Sequence, residues 1–239
     1  MAQSTIEWTE VTWNPTTGCN KISAGCKYCY AEAFSKRLKA MGLDKYQNGF
    51  ELALHEHELD KPYQWTNPKI VFVNSMSDLF HEKIPLSFIQ RVFEVMNDCP
   101  QHIFQILTKR ADTLLRYDPY LNWTDNIWMG VSVENQKVIE RVDLLRAANA
   151  KIKFLSCEPL LESLSSLKFS GIDWVIVGGE SGKKCRPMNP EWVIEIRDKC
   201  KSLNIPFFFK QWGGTNKKKT GRKLEGIIYN EMPSINPVS

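Results

Sequence analysis

A parallel α/β barrel of repeated βα units, partial or complete, is the fold this sequence predicts, on three observations. From residue 69 onward, short β-branched and aromatic runs alternate with amphipathic stretches, as in strands paired in parallel through helical crossovers. The length, 239 residues, suits one such barrel and suffices to bury a core without disulfides. Polar residues recur at the C-terminal ends of the runs, the face on which barrel enzymes assemble their sites.

Taken in order, the segment 11–13 is the expected first strand and YAEAFSKRLKAM (30–41) the first helix. FELALHEHEL (50–59) alternates like a strand, and a Pro- and Trp-containing connection follows. The array then reads KIVFVNS (69–75), HIFQILTK (102–109), IWMGVSV (127–133), KIKFLSC (151–157), DWVIVGG (173–179) and IPFFFKQWG (205–213). Helical patterns occupy PLSFIQRVFEVMND (85–98), NQKVIERVDLLRAAN (135–149) and PEWVIEIRDKCKSLN (190–204). The first and third open with proline near the first turn, where its missing N–H costs nothing. The expected organisation is one barrel over 1–214, with a cysteine loop at 19–29, and a short basic extension over 215–239.

Net charge is +4, and five basic residues fall within NKKKTGRK (216–223). Such a run suits phosphate contacts, and equally a solvated loop. The N-terminal MAQSTIEWTE has no basic start or apolar run, and no stretch is apolar enough to span a membrane. The expectation is a cytoplasmic protein with no membrane partner, whose seven cysteines are reduced thiols or metal ligands.

TTGCNKISAGCKYCYAE places Cys19, Cys26 and Cys29 within eleven positions of a glycine- and lysine-bearing loop. Three readings compete. A structural zinc site needs a fourth ligand, such as Cys185, His55 or His57. Inert buried thiols fit poorly with so polar a segment. An iron–sulfur cluster commonly has four cysteines, and one held by three keeps an open coordination position at which chemistry can occur. Cys99, Cys157, Cys185 and Cys200 are scattered and read mostly as inert.

Cys26-Lys27-Tyr28-Cys29 resembles the second half of the radical S-adenosylmethionine (SAM) motif, in which an aromatic residue precedes the third cysteine. The loop between first strand and first helix matches as well. The motif departs from the usual spacing, with six residues and not three between Cys19 and Cys26. Nearly the whole chain resembles a phage-encoded family of the gp thirty-seven/sixty-eight type, also described as three-Cys-motif proteins. WNPTTGCNKISAGCKYCYAE, VFVNSMSDLFHEKIP, ILTKR, MGVSVEN, FLSCEPLL, DWVIVGGESG and PFFFKQWGG carry this resemblance. It implies a superfamily and a fold, and names no reaction.

The resemblance implies a 4Fe-4S cluster on Cys19, Cys26 and Cys29, and SAM bound at its free iron. One electron, from a donor such as a flavodoxin or ferredoxin, then cleaves SAM to a 5′-deoxyadenosyl radical that removes hydrogen from a substrate. The superfamily meets the methionine amino group with Gly-Gly-Glu after its second strand. Here GGE (178–180) follows a much later strand, and that role is not carried over to it. By position, Ser75, Ser77 and Asp78 are the candidates for the methionine moiety and Lys109 for its carboxylate. Ser132, Glu134 and Asn135 suit the ribose, and Tyr28 the adenine. Glu158 and Glu180 are candidates to face the substrate. Cys157 is either a hydrogen-atom donor or a small apolar filler. Lys210 and Trp212 suit a flat anionic substrate, and together with the basic run they suggest a nucleic acid or nucleotide. The rival reading is a non-catalytic module, stabilised by zinc or a cluster, whose nucleic-acid binding weakens with salt through Lys217 to Lys219.

Overall fold

The structure is a computed structural model and describes residues 6–234. Seven strands form one sheet in chain order: β1 (Val11–Trp13), β2 (Ile70–Val73), β3 (Ile103–Thr108), β4 (Ile127–Ser132), β5 (Ile152–Cys157), β6 (Trp174–Gly178) and β7 (Phe207–Gln211). Every neighbouring pair is parallel. Five helices connect them: α1 (Tyr30–Ala40), α2 (Leu86–Asp98), α3 (Ala111–Tyr117), α4 (Glu140–Ala147) and α5 (Pro190–Ser202). The barrel is partial, because the sheet order runs from β1 to β7 without closure between them.

Trp8 measures how far the sheet curls. Its ring lies 4.6 Å from Phe72 on β2 and 6.1 Å from Trp174 on β6. Four strand spacings separate β2 from β6, about 19 Å in a flat sheet. One indole reaches both only because the sheet bends around it. The concave side then holds an aromatic layer of Trp8, Phe72, Trp128, Phe154, Trp174 and Phe208. Alternate residues of the same strands, such as Val71, Phe104, Leu155, Cys157 and Val175, face the helices and form the larger core. This period of two decides which polar residues at the strand ends meet the cavity.

α2 shows the helix side of that core. Phe88, Ile89, Val92, Phe93 and Met96 are buried at helical spacing, each contributing roughly 1.5–3 kcal/mol on burial. Pro85 precedes the first turn of α2, and Pro190 opens α5 behind Asn189, whose side chain accepts from Glu191 N–H. The expected strand at 50–59 is only Ala53–Leu54, paired antiparallel with Thr16–Thr17. A 3-10 turn, Glu56–Glu58, follows at once, with Glu58 bonded to Lys45 and Lys61. Near the C-terminus, Phe209 N–H donates to Tyr229 O and Trp174 Nε1 to Glu231 O. Residues 223–231 thus lie against β7. No described helix is long and apolar enough to cross a membrane.

Candidate functional site

At the C-terminal ends of the strands, a cavity of about 370 Å³ opens above the aromatic layer. Its floor includes Trp8, Phe72 and Leu107, and its walls carry polar groups from β2 to β7. Cys19, Cys26 and Cys29 all line it. All three are free thiols, half-buried, whereas Cys99, Cys157 and Cys200 are buried in the core.

Five ties hold the cysteine loop at this mouth. Gly18 N–H donates to Met76 O at 3.0 Å and Cys19 N–H to Phe50 O at 3.2 Å. Gly18 has φ +83°, and a Cβ there would lie 2.0 Å from Glu51 O, so only glycine fits. Arg110, 5% exposed, donates through Nη1 to Cys19 Sγ at 3.5 Å and Asp78 Oδ2 at 3.1 Å, and through Nε to Glu82 at 3.0 Å. Glu134, fully buried, accepts from Gly25 N–H at 3.1 Å and pairs with Arg141 at 3.0 Å. Arg186 donates to Ala24 O at 3.0 Å, lies over the Tyr28 ring at 5.5 Å and is paired with Glu180.

Electrostatics differ between the thiols. Burial and Asp78 push Cys19 up to about 11, with Arg110 opposing. Burial also pushes Cys26 up, but Lys109 and hydrogen bonds from Ile22 and Ser23 outweigh it, leaving Cys26 below the usual thiol value. Among the described residues no three His, Cys, Asp or Glu side chains gather closely enough to share one ion. In a four-iron cluster each thiolate binds a different iron, so its ligands stand farther apart than those of a single zinc. The donor set suits such a cluster: three reduced thiols open to one cavity, with Arg110 and Lys109 beside them to offset anionic charge. Thiols bind iron as thiolates, so loading releases protons.

Residues 3–233 match the family described as "protein of unknown function (DUF5131)". The chain belongs to that family. A search of curated proteins returns no match. Among solved structures, similarity is found to spore photoproduct lyase with bound AdoMet and dinucleoside spore photoproduct, at 12% identity and a TM-score of 0.47. That alignment covers 79% of this chain and 60% of the other. A second structure, spore photoproduct lyase complexed with dinucleoside spore photoproduct, aligns at 14% identity and a TM-score of 0.46, over 77% and 59%. This chain thus spans about three-fifths of the length of those proteins.

Most residues singled out in the sequence reach the cavity. Tyr28, Ser75, Ser77, Asp78, Lys109, Ser132, Glu158, Glu180 and Lys210 all line it. Several are already engaged. Asp78 accepts from Thr108 Oγ1, the backbone N–H of Phe80 and Lys109, and Arg110. Ser77 shares a 2.5 Å hydrogen bond with Thr16, and Ser75 donates to Asn14. Lys109 donates to Ser132 at 3.0 Å, and Lys210 to Glu158 at 2.6 Å.

Four residues are not in the lining: Glu134, Asn135, Cys157 and Trp212. Glu134 lies behind it and positions the loop. Cys157 faces the helices from the outer side of β5, fully buried, and burial drives its thiol far above the usual value. Ser156, one residue earlier, takes the inner position. Trp212 packs on Phe209 at 4.8 Å and donates to Lys223 O.

Arg110, Arg141 and Arg186 were not recognised from the sequence. Arg110 and Arg186 reach loop partners, Cys19 and Ala24, 91 and 162 residues away, while Arg141 acts through Glu134, whose loop partner Gly25 lies 109 residues from it, and no local pattern encodes such reach. Asn74, by contrast, is one of the polar residues the sequence places at a strand end. It lines the cavity at φ +60°, its Oδ1 accepts from Thr16 N–H, and its Nδ2 is buried without a partner.

Proposed function

We propose that this chain is a radical SAM enzyme acting on a nucleic acid or nucleotide. The observation that carries the reading is the selective placement of thiols: three of seven cysteines, those in C-x6-C-x2-C spacing, line one cavity at the strand ends. The resemblance of Cys26-Lys27-Tyr28-Cys29 to the radical SAM motif supports it, as does the wider resemblance to the phage-encoded three-Cys family. A 4Fe-4S cluster on Cys19, Cys26 and Cys29 would supply single electrons to SAM, and through it hydrogen-atom removal from a substrate.

The chain's own residues divide the remaining work. Arg110 donates toward Cys19 and would steady negative charge on that sulfur. Glu134 and Arg186 fix the loop's height over the mouth by holding Gly25 and Ala24. Lys109 and Ser132, already in contact with each other, are placed to receive a carboxylate and hydroxyls. Asn74 Nδ2 offers a donor with no protein partner. Glu158 and Lys210 form a charge pair in the wall that a polar substrate can open and share. Trp8, Phe72 and Leu107 close the floor and limit water beneath a bound molecule. Cys157 belongs to the core in this reading and carries no hydrogen-atom transfer.

The test is anaerobic incubation with dithionite and SAM after iron and sulfide loading. Formation of 5′-deoxyadenosine, lost in Cys26→Ala, is the expected result. Zinc at one per chain with no SAM cleavage would overturn the reading in favour of a metal-stapled binding module.

A further inference from the structure

Two charged segments meet at the mouth of the cavity. Residues 181–188 and 214–223 together hold eight Lys or Arg and no Asp or Glu, in a chain whose net charge is only +4. They follow β6 and β7, and the backbone joins them: Gly214 N–H donates to Glu180 O at 2.9 Å and Gly182 N–H to Gly214 O at 3.0 Å. Thr220 Oγ1 donates to Gly213 O at 2.7 Å and Trp212 N–H to Gly221 O, folding the second segment back on its own start at the end of β7. Two glycines permit this approach, because a Cβ on Gly179 would lie 2.1 Å from Trp212 O and one on Gly213 2.3 Å from Glu180 O. Lys183, Lys184, Lys219 and Lys223 are exposed. Lys27 lies 5.3 Å from the Tyr28 ring, and Arg186 of the first segment lies beside the same ring.

Three side chains in the wall of the cavity behind this rim carry hydrogen-bonding capacity that no protein group uses. Trp8 Nε1 and Asn74 Nδ2 are buried donors without partners, and Gln211 Oε1 is a buried acceptor without one. Trp8, Asn74 and Gln211 are 3%, 2% and 2% exposed, and all line the cavity. Buried polar atoms are normally paired. Donors and an acceptor beside Trp8, Phe72 and Leu107 match a flat heterocycle with polar edges, which is what a nucleobase presents.

We propose that the substrate is a single-stranded phosphodiester chain, which crosses the rim formed by 181–188 and 214–223 and places one base in the cavity. This rests on the reading of the cavity as the active site and narrows its substrate from nucleotide to strand. The cavity is recessed, so a base reaches its polar atoms only out of a duplex stack. The rim supplies the sequence-independent attraction and the cavity the contacts to the base.

Fluorescence anisotropy tests this with labelled oligodeoxyuridylate and oligouridylate of roughly ten nucleotides, which share a base and differ in the sugar, and with an abasic strand of equal length. Binding should weaken linearly in log salt. The double variant Lys183→Glu/Lys184→Glu should bind at least about tenfold more weakly and flatten the slope by ~1.4, two contacts at ~0.7 each. The abasic strand should bind more weakly than both base-bearing strands, and a preference between those two identifies the sugar. An unchanged salt slope in the double variant, its thermal melt matching the parent, would overturn the proposal. So would equal binding of abasic and base-bearing strands. Iron content and deoxyadenosine formation on the same preparations keep the readings apart. SAM cleavage without strand binding refutes only the strand, and strand binding without iron refutes only the cluster.

Discussion

Replacing Glu134 with alanine removes one carboxylate and disturbs two things at once. Gly25 N–H loses its acceptor at 3.1 Å, and Arg141 loses its ion-pair partner at 3.0 Å. Glu134 is fully buried and Arg141 6% exposed, so the guanidinium is stranded out of water. Breaking a buried pair from one side costs about 3–5 kcal/mol. Arg141 Nη1 keeps Ser132 O at 2.9 Å, which favours the lower end, about 3 kcal/mol. For a chain of this size that lowers Tm by roughly 6–12 °C, within the stability of an ordinary domain. Urea denaturation gives the first readout, and iron retained after anaerobic loading gives the second. Glu134→Gln keeps an acceptor for Gly25 and should retain more iron than Glu134→Ala. Glu134→Ala/Arg141→Met leaves no stranded charge and should recover much of the lost stability. If the double variant is as unstable as the sum of its singles, the reasoning fails.

Other expectations follow from single residues. Cys26→Ala should abolish cluster loading, whereas Cys157→Ala and Cys185→Ala should each load as the parent does; iron analysis separates the two groups. Cys157→Ser should melt lower than Cys157→Ala, because it buries a hydroxyl without an arranged partner. Gly18→Ala should cost at least about 1–2 kcal/mol for its left-handed backbone alone, and the 2.0 Å approach to Glu51 O adds to that; lower urea midpoint and lower iron content are the checks. Burial and Lys45 depress His55 to about 4 in the folded chain, against an ordinary 6.5. Its neutral form therefore contributes stability above pH 6.5 that is lost as pH falls toward 4, where the unfolded chain takes up the proton. His55→Gln should flatten stability across that window, as urea midpoints against pH would report.

The strands were the most legible part of the sequence. All six runs from residue 69 onward became strands, with every end within two residues. Burial on both faces writes a parallel strand as a continuous apolar run, which needs no distant partner to recognise. α3 was missed because Ala111–Tyr117 spans only seven residues, too few to display a helical period. Which strand-end residues face the cavity was half legible. Applying the two-residue alternation at 152–158 places Ser156 and Glu158 inward and Cys157 outward, as the structure has them. The restraint of the cysteine loop was not legible, since Arg110, Glu134 and Arg186 act from three separate strand ends. The basic run near residue 220 was visible, but its place beside 181–188 depends on backbone pairing through Gly214.

The central claim is that three cavity thiols hold an iron–sulfur cluster. Its most direct test is to count iron, sulfide and zinc per chain after anaerobic purification, in the parent and in Cys19→Ala/Cys26→Ala/Cys29→Ala. The account predicts about four irons and four sulfides in the parent and neither in the triple variant. Stoichiometric zinc in the parent, or iron undiminished in the triple variant, would contradict it.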